Sequence, residues 1–378
     1  MDKSQLTHEI KAEAMRLGFD LAGVCPAVEP PGISRFQAWL DAGFDGEMAY
    51  LSDRRVAYDH PRAVLEGVRS IVMLALNYKT DEPNSCESGQ GSVSRYAWGG
   101  RDYHDVIHQR LKALAVFVNV CVPGAAVRGV VDTAPLLERE FAQLAGLGWI
   151  AKNTMLINRS IGSWFFLAAL LTDQELDYDA AQEADHCGSC RACLDACPTA
   201  AFPRPYVLDA TKCISYLTIE LRGPMPRPLR ERVSDWLFGC DVCQEVCPWN
   251  NHSRPTAEPA FTSLSEQNPI SLHELFFLSD DTFRQRFRRT PLWRPKRRGI
   301  LRNAAIVLGN QRDGTAVEAL SRGLADAEPL VRAAAAWALG CIGTATADSA
   351  LQSRALVETD MCVRREVELA VKAIAELS

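Results

Sequence analysis

Hydrophobic residues recur at helical spacing in two segments of the first half of the chain. The first segment contains Leu6, Ile10, Ala14 and Leu17, and the second contains Ile107, Leu111, Leu114, Phe117 and Val118. Apolar positions three to four residues apart lie on one face of a helix. The pattern therefore predicts two amphipathic helices that bury one side each.

Three short apolar runs, rich in β-branched or aromatic residues, lie between polar or Gly- and Pro-containing segments. They cover Ile71 to Leu76, Val127 to Val131 and Trp164 to Leu171. Their length favours buried strands over helices, so residues 1–180 are predicted to form an α/β domain. The polar segment from Lys79 to Ser94 is predicted to be a surface loop. The longest run has eight residues, far short of the roughly 18 to 20 that cross a membrane.

The last 80 residues carry an internal repeat. The segments 301–310, 331–340 and 363–372 are similar and lie about 30 to 32 residues apart, and Leu-Gly ends the first two. Helical repeats of this length stack so that neighbours bury a shared apolar face. Residues 299–378 therefore resemble HEAT repeats, with a plain helical bundle as the alternative.

Composition places the chain among folded proteins and reveals one local charge anomaly. The 378 residues are 47% hydrophobic and 23% charged, with a net charge of −6. Yet the stretch from Arg284 to Arg302 holds nine basic residues and no acidic one, which predicts a positive patch on an acidic body. A solvated charge run is the alternative. The N-terminus lacks a basic segment followed by an apolar one, so we expect a cytoplasmic protein.

Cysteine is concentrated in one short region. Eight of the thirteen cysteines lie between Cys187 and Cys247, and close spacing in a reducing compartment favours metal binding over disulfides. The region 181–250 is therefore a candidate metal-binding domain, followed by a linker over 251–298 that becomes basic. The scattered cysteines are expected to be small buried hydrophobes; they are Cys25, Cys86, Cys121, Cys341 and Cys362.

The spacing of the eight clustered cysteines is that of a ferredoxin with two 4Fe–4S clusters. Cys187, Cys190, Cys193 and Cys197 follow an x2-x2-x3 pattern ending in Pro, and Cys240, Cys243 and Cys247 end in the same way after Cys213. In such runs the x3-Pro cysteine ligates the other cluster. One predicted set is therefore Cys187, Cys190, Cys193 and Cys247, and the other is Cys197, Cys213, Cys240 and Cys243. Two structural zinc sites are the alternative.

Three further motifs precede the cysteines: RYAWGGRDYH (95–104), VDTAPLLERE (131–140) and GLGWIAKN (146–153). Their order, followed by two cluster runs and HEAT-like repeats, closely resembles the epoxyqueuosine reductase family over nearly the whole chain. The resemblance implies a nitroreductase-like cobalamin domain, base-off cobalamin, two 4Fe–4S clusters and reduction of epoxyqueuosine to queuosine at the wobble position of tRNA. It also implies an external low-potential electron donor, and we expect a monomer.

The resemblance also suggests residue roles. Asp132 matches the proposed proton donor, whose pKa would be raised in a partly dry pocket. Contacts to the cofactor are expected from Tyr96, Asp102, Tyr103, His104, Asp132, Arg139, Trp149, Lys152, Asn153, Leu156 and Leu167. Contacts to the anticodon stem-loop are expected from Arg294, Lys296, Arg297, Arg298 and Arg302. Ala151 replaces a common glycine of the family, and Tyr58 stands where many relatives carry arginine.

Other readings of these residues remain open at this stage. Asp132 could be a helix N-cap, and Arg139 could hold the aspartate, bind corrin amides or form a surface ion pair. A corrinoid-dependent reductive dehalogenase and an iron–sulfur electron-transfer protein are the rival functions. Two features count against the dehalogenase. The sequence shows no twin-arginine signal, and a dehalogenase has no evident use for the basic segment and the helical repeats.

Overall fold

Helices make up most of the regular structure in the computed structural model, which describes residues 1–377. The α-helices are α1 Lys3–Arg16, α2 Ile33–Asp41, α3 Ala49–Ser52, α4 Tyr103–Cys121, α5 Glu138–Leu144, α6 Ala192–Asp195, α7 Ile214–Ile219, α8 Arg227–Arg230, α9 Val242–Glu245, α10 Asp280–Phe287, α11 Lys296–Gln311, α12 Val317–Leu324, α13 Pro329–Ile342, α14 Ala345–Ala355 and α15 Met361–Leu377. The strands are β1 Leu21–Pro26, β2 Ser70–Asn77, β3 Gln90–Val93, β4 Val127–Val130, β5 Trp149–Ile150, β6 Leu156–Ile157, β7 Phe165–Thr172, β8 Trp236–Phe238 and β9 Ile270–Ser271.

The described chain divides into two compact units that interleave in sequence. The first contains residues 1–81, 101–210 and 242–262, and the second contains 82–100, 211–241 and 263–378. The division predicted from the sequence, into 1–180, 181–250, 251–298 and 299–378, is consecutive and differs from these interleaved units. Ser378 lies outside the described residues.

A four-stranded antiparallel sheet in the order β1-β2-β7-β4 forms the centre of the first unit. All eight residues of β2 are buried, which explains why its sequence is a continuous apolar run rather than an alternating one. The two helices and three strands predicted from the apolar pattern are present as α1, α4, β2, β4 and β7.

Helices cover both faces of this sheet. Phe141 and Ala142 of α5 pack with Ile71 and Met73 of β2 in one buried cluster. On β4, Val130 joins that cluster, whereas a Cβ on the preceding Gly129 would lie 2.8 Å from Leu111 of α4. Because neighbouring residues of a strand point to opposite faces, α4 and α5 lie on opposite sides of the sheet.

The second unit combines a small sheet with stacked helices. Strand β3 pairs in parallel with β8 and antiparallel with β9, and α11 packs against α13, which packs against α15. A Cβ on Gly309 of α11 would lie 2.7 Å from the Trp337 ring, and one on Gly340 of α13 would lie 2.7 Å from the Ala370 side chain. The Leu-Gly endings of the repeats therefore allow close contact between successive helices.

Three expectations from the sequence are wrong in detail. The predicted surface loop over 79–94 ends in β3, where Gly91 is buried against Leu237 and Leu272. The stretch PLLERE (135–140), which would place Arg139 two turns after Asp132 if it were helical throughout, is helical only from Glu138 onward. Of the five scattered cysteines expected to be buried, Cys25 is buried, Cys86, Cys121 and Cys341 are half-buried, and Cys362 is exposed. No helix among residues 1–377 has the length and apolar composition needed to cross a membrane.

Candidate active site and cluster ligands

Asp132 lies at one end of the sheet in the first unit, two residues after β4. Strand β4 ends with Val130 paired to Ala169 of β7, and continuing this register brings Asp132 level with Leu167. Strand β7 is fully buried from Ala168 to Thr172, but Phe166 and Leu167 are only half-buried. The end of β7 beside Asp132 is therefore accessible, and the Asp132 side chain is 63% exposed.

Residues at the start of α4 converge on the Asp132 carboxylate. The Tyr103 hydroxyl donates to Asp132 Oδ2 at 2.8 Å, and His104 Nε2 lies 3.6 Å from the same oxygen. On its other side, His104 Nδ1 is 2.7 Å from Asp102 Oδ1, while Asp102 caps α4 by accepting the His104 backbone N–H. The Tyr103 ring stacks on Phe166 with centroids 4.1 Å apart, which fixes its orientation. We call Asp102, Tyr103, His104 and Asp132 the acidic cluster.

Glu138 holds the backbone of Asp132. Asp132 has a φ of 57°, in the left-handed region that non-glycine residues rarely adopt. Its backbone N–H donates to Glu138 Oε1 at 2.8 Å. Glu138 belongs to the VDTAPLLERE motif but is not among the residues predicted to form the site. The structure instead has Leu137 at the N-cap of α5, so Asp132 does not cap this helix.

The charges at this site are strongly coupled. Burial by itself lowers the pKa of His104, but hydrogen bonds to Asp102 and Asp132 and their negative charges outweigh it and raise the pKa to about 9. Burial, followed by the charge of Asp132, raises the pKa of Glu138 to about 8. At neutral pH His104 is therefore mostly protonated and cationic, and Glu138 is mostly protonated and neutral.

Four of the predicted cluster ligands lie near one another in the first unit. The pKa of the Cys193 thiol is raised by burial and then by the neighbouring Cys247, Cys187 and Cys190. These are the four cysteines of one predicted set, brought together although 53 or more residues separate Cys247 from Cys193 in sequence. Soft sulfur donors in this number fit one 4Fe–4S cluster.

The turn that carries Cys187 and Cys190 is held by polar contacts. Lys152 Nζ donates to the backbone carbonyls of Gly188 at 2.5 Å and Cys190 at 2.9 Å. Asp185 accepts the Cys187 backbone N–H at 2.8 Å. Trp149, on β5, is buried against Cys187 and Cys247. Trp149 and Lys152, predicted as corrin contacts, thus surround cysteines in this unit.

The second predicted set is divided between the two units. Cys197 and Cys243 belong to the first, and Cys213 and Cys240 to the second. Cys197 Sγ accepts the Ala201 backbone N–H at 3.4 Å, and the Cys243 carbonyl accepts from Asn153 Nδ2 at 3.1 Å. Among the described residues, no three His, Cys, Asp or Glu side chains are arranged to hold a single metal ion.

Four other predicted cofactor contacts lie in different surroundings. Tyr96 belongs to the second unit, where its ring centroid lies 5.9 Å from that of Phe238. Leu156 is buried in the cluster beneath α5, and half-buried Leu167 packs at its edge. Arg139 is exposed, and the charges of Glu138 and Asp132 act on its guanidinium. Their contacts to a cofactor remain predictions.

The basic stretch contains exposed cations as well as cations that contact other side chains. Arg288, Arg289 and Arg298 are exposed. Arg294 is exposed but pairs with Glu220 at 3.1 Å, and Lys296 lies over the Trp293 ring at 4.2 Å. These side chains lie on the surface of the second unit.

The prediction of a tRNA contact from Arg302 is wrong. Arg302 is 1% exposed, and its guanidinium donates to the carbonyls of Leu217, Leu221 and Gly223 at 2.6 to 2.8 Å. Arg297 is also largely committed, since it binds the Asp326 carboxylate at 2.7 Å. The reason is the burial of α11: Arg302 lies within this helix, which is buried along most of its length.

Family models match three parts of the chain. Residues 59–133 match epoxyqueuosine reductase QueG, DUF1730, residues 186–250 match a 4Fe-4S double cluster binding domain, and residues 297–372 match HEAT repeats. Together with the cysteine arrangement, these matches define an iron–sulfur oxidoreductase with C-terminal HEAT repeats.

Comparison with whole proteins makes the assignment specific. The chain is 40% identical to the epoxyqueuosine reductase of Pseudomonas aeruginosa over 343 residues, covering 89% of this chain and 95% of the relative. It is 37% identical to that of Escherichia coli K12, covering 90% of each. The chain belongs to the epoxyqueuosine reductase family.

Solved structures of epoxyqueuosine reductases are similar to this chain over nearly its whole length. An epoxyqueuosine reductase crystallised with an epoxyqueuosine-modified tRNA-Tyr stem loop matches with a TM-score of 0.91 and 30% identity, covering 98% of this chain and 99% of that one. The Bacillus subtilis enzyme, in a structure with its catalytic aspartate loop swung out of the active site, matches with a TM-score of 0.89 at 30% identity and the same coverage.

Proposed function

We propose that this protein reduces epoxyqueuosine to queuosine in tRNA, with cobalamin and two 4Fe–4S clusters as cofactors and Asp132 as proton donor. The observation that carries the proposal is the acidic cluster at the accessible end of β7, in a chain that belongs to the epoxyqueuosine reductase family. The Tyr103 hydroxyl donates a hydrogen bond to the Asp132 carboxylate at 2.8 Å and so holds the proposed proton donor in place.

The reaction sets a definite requirement for protons. Converting an epoxide to an alkene consumes two electrons and two protons and releases the oxygen as water. The oxygen develops negative charge as the ring opens, so a positioned acid lowers the barrier. Asp132, Tyr103 and His104 are three adjacent protonatable side chains, and cationic His104 can return a proton to Asp132. The acidic cluster is thus suited to supplying both protons.

The surroundings of Asp132 fit a large, flat macrocycle with polar edges. Half-buried Phe166 and Leu167 provide apolar contact, and the polar side chains of Asp102 and Tyr103 lie beside them. Bound cobalamin would supply a strongly reducing centre at the epoxide carbon. Within this arrangement Tyr103 orients the Asp132 carboxyl and Glu138 fixes its backbone. The base-off state and nitroreductase-like topology belong to the same proposal.

Electrons would reach the site from an external low-potential donor through the two clusters. We assign Cys187, Cys190, Cys193 and Cys247 to one cluster and Cys197, Cys213, Cys240 and Cys243 to the other. The proximity of Cys187, Cys190 and Cys247 to Cys193, whose pKa they raise, supports this crossed assignment, because Cys247 joins the group although it lies far away in sequence.

The tRNA would bind through exposed cations of the second unit. Arg288, Arg289, Arg294, Lys296 and Arg298 are exposed and can contact phosphates, which position a nucleic acid without reading its sequence. The wobble base lies in a single-stranded loop and is already partly unstacked, so it can enter a pocket at low cost. A cytoplasmic monomer fits this role.

Complementation tests the proposal in cells. A bacterial strain lacking its own epoxyqueuosine reductase should accumulate epoxyqueuosine in tRNA, and expression of this chain should restore queuosine, measured by mass spectrometry of nucleosides. The Asp132→Ala variant, expressed to the same level, should not restore it. Persistent epoxyqueuosine with the folded wild-type chain would contradict the proposal.

A further inference from the structure

Trp149 carries a buried hydrogen-bond donor that has no acceptor among the described residues. The side chain is 2% exposed, and its Nε1 has no hydrogen-bond partner in the part of the chain that the structure describes. An unsatisfied buried donor costs free energy. Such a group in a native site requires a physical reason, and the residues around the indole indicate one.

The indole lies against ligands of a predicted iron–sulfur cluster. Trp149 packs with Cys187 and Cys247 in one buried group, and its ring is 4.7 Å from that of His186 and 5.0 Å from that of Trp249. These two rings pack perpendicular to the indole, which restricts its rotation. The orientation of Nε1 is therefore set by packing on several sides.

The sulfur of Cys187 is the acceptor that this arrangement offers. Cys187 packs against the indole in one buried group, and the backbone N–H of Lys152 and the side-chain N–H of Trp149 both face its sulfur, although the indole N–H does not reach hydrogen-bonding geometry with the thiol. A neutral thiol is a weak acceptor. A thiolate bound to iron carries negative charge and accepts hydrogen bonds more strongly.

We propose that Trp149 donates its indole N–H to the Cys187 sulfur and thereby raises the reduction potential of the cluster held by Cys187, Cys190, Cys193 and Cys247. This inference rests on the cluster assignment of the proposed function. Reduction adds negative charge to the cluster and its sulfurs, so the hydrogen bond stabilises the reduced form more than the oxidised form. Trp149 is a positioning and tuning residue and does not touch substrate.

Lys152 acts on the same turn through a different contact. Its ammonium group binds the carbonyls of Gly188 and Cys190, which orients the backbone between two ligands and places a positive charge nearby. The segment from Trp149 to Lys152 thus supplies one side-chain N–H, one backbone N–H and one cation around these cysteines.

The Trp149→Phe variant tests the inference, because it keeps an aromatic ring and removes the N–H. Both clusters would be reconstituted anaerobically in the full chain, and their midpoint potentials measured by redox titration followed by electron paramagnetic resonance. We expect a tenfold change in the one-electron reduction equilibrium of one cluster, which corresponds to about 59 mV toward more negative potential. The potential of the other cluster should not change.

Trp249→Phe is the matched control, since it alters the same aromatic contact and leaves Trp149 intact. It should shift the potential by much less. Electron–nuclear double resonance in D₂O should also show one exchangeable-deuteron coupling that is present in wild type and Trp249→Phe and lost in Trp149→Phe, whereas the coupling from the Lys152 backbone N–H is kept in all three proteins. An unchanged potential in Trp149→Phe, equal shifts in the two variants, or the full wild-type set of deuteron couplings in Trp149→Phe would overturn the inference.

A separate variant distinguishes failure of the inference from failure of the cluster assignment. Cys187→Ser should lose or alter the same cluster whose potential changes in Trp149→Phe. If Cys187→Ser leaves both cluster signals unchanged, Cys187 is not a ligand, and the proposed cofactor arrangement fails. If it alters one cluster while Trp149→Phe has no effect, only the role of Trp149 is refuted.

Discussion

Removing the Glu138 carboxyl should impair turnover by releasing the backbone of Asp132. A left-handed conformation costs a non-glycine residue about 1 to 2 kcal/mol, and Asp132 adopts it with a φ of 57°. The hydrogen bond from Asp132 N to Glu138 Oε1 at 2.8 Å offsets part of that cost, since one such bond contributes about 0.5 to 1.5 kcal/mol. Glu138→Ala should therefore lower kcat/KM roughly 3- to 10-fold.

Glu138→Gln is the matched variant because its amide oxygen can still accept the Asp132 N–H. We expect it to retain most of the wild-type rate near neutral pH, where Glu138 itself is mostly neutral. The assay is anaerobic turnover of epoxyqueuosine-containing tRNA by enzyme with verified iron and cobalamin content. Wild-type turnover by Glu138→Ala, or an equal loss in the Gln variant, would refute a backbone-positioning role.

The same pair of variants gives a pH signature. In the folded protein the pKa of Glu138 is raised from 4.5 to about 8, so the folded state binds a proton that the unfolded state has released. The resulting stabilisation is present below about pH 4.5 and is lost as pH rises through 8. Because water reaches half-buried Glu138, we expect only about 1 to 2 kcal/mol of pH dependence. Urea unfolding should show it in wild type and not in Glu138→Gln.

Five other variants test the remaining assignments. Asp132→Asn should keep both clusters and cobalamin yet lose about 10²- to 10⁴-fold in turnover, as for removal of a general acid; near-normal turnover with full cofactor content would contradict this role. Cys193→Ser and Cys197→Ser should each damage a different cluster in electron paramagnetic resonance spectra, and loss of the same cluster in both would refute the crossed assignment. Arg298→Ser should reduce the slope of the logarithm of tRNA affinity against the logarithm of salt concentration by about 0.7 to 0.9, and an unchanged slope would exclude a phosphate contact. Arg302→Met should lower the free energy of unfolding by at least ~3 kcal/mol, because three buried carbonyls lose their hydrogen-bond donor.

Much of the fold could be predicted from local pattern. The run from Ile71 to Leu76 indicated a strand because it is apolar and short, and β2 is buried along its whole length. The Leu-Gly repeat endings indicated stacked helices because glycine permits close approach, as Gly309 and Gly340 do. In each case the residues that determine the structure lie close together in sequence, so a local pattern is enough to predict it.

The errors arise where long-range contacts decide. The segment 90–93 is polar, yet it forms β3 because β8 and β9 provide backbone partners far away in sequence. Arg302 belongs to a basic stretch, but its guanidinium donates hydrogen bonds to backbone carbonyls within 217–223. No local sequence pattern predicts this contact.

The acidic cluster shows the same division. Tyr103 and His104 were identified with Asp132 because their motifs are distinctive, and the fold brings them within hydrogen-bonding or ion-pair distance. The role of Glu138 was missed because it depends on where α5 begins. Helix α5 begins at Glu138, and from this first helical position the Glu138 side chain accepts the Asp132 backbone N–H.

The most direct test of the account is anaerobic reconstitution of the purified chain with iron, sulfide and cobalamin, followed by nucleoside mass spectrometry after reaction with epoxyqueuosine-containing tRNA and a low-potential reductant. The account predicts conversion of epoxyqueuosine to queuosine, lighter by one oxygen atom, and loss of that conversion when cobalamin is omitted. Unconverted epoxyqueuosine with both clusters and cobalamin bound, or equal conversion without cobalamin, would contradict it.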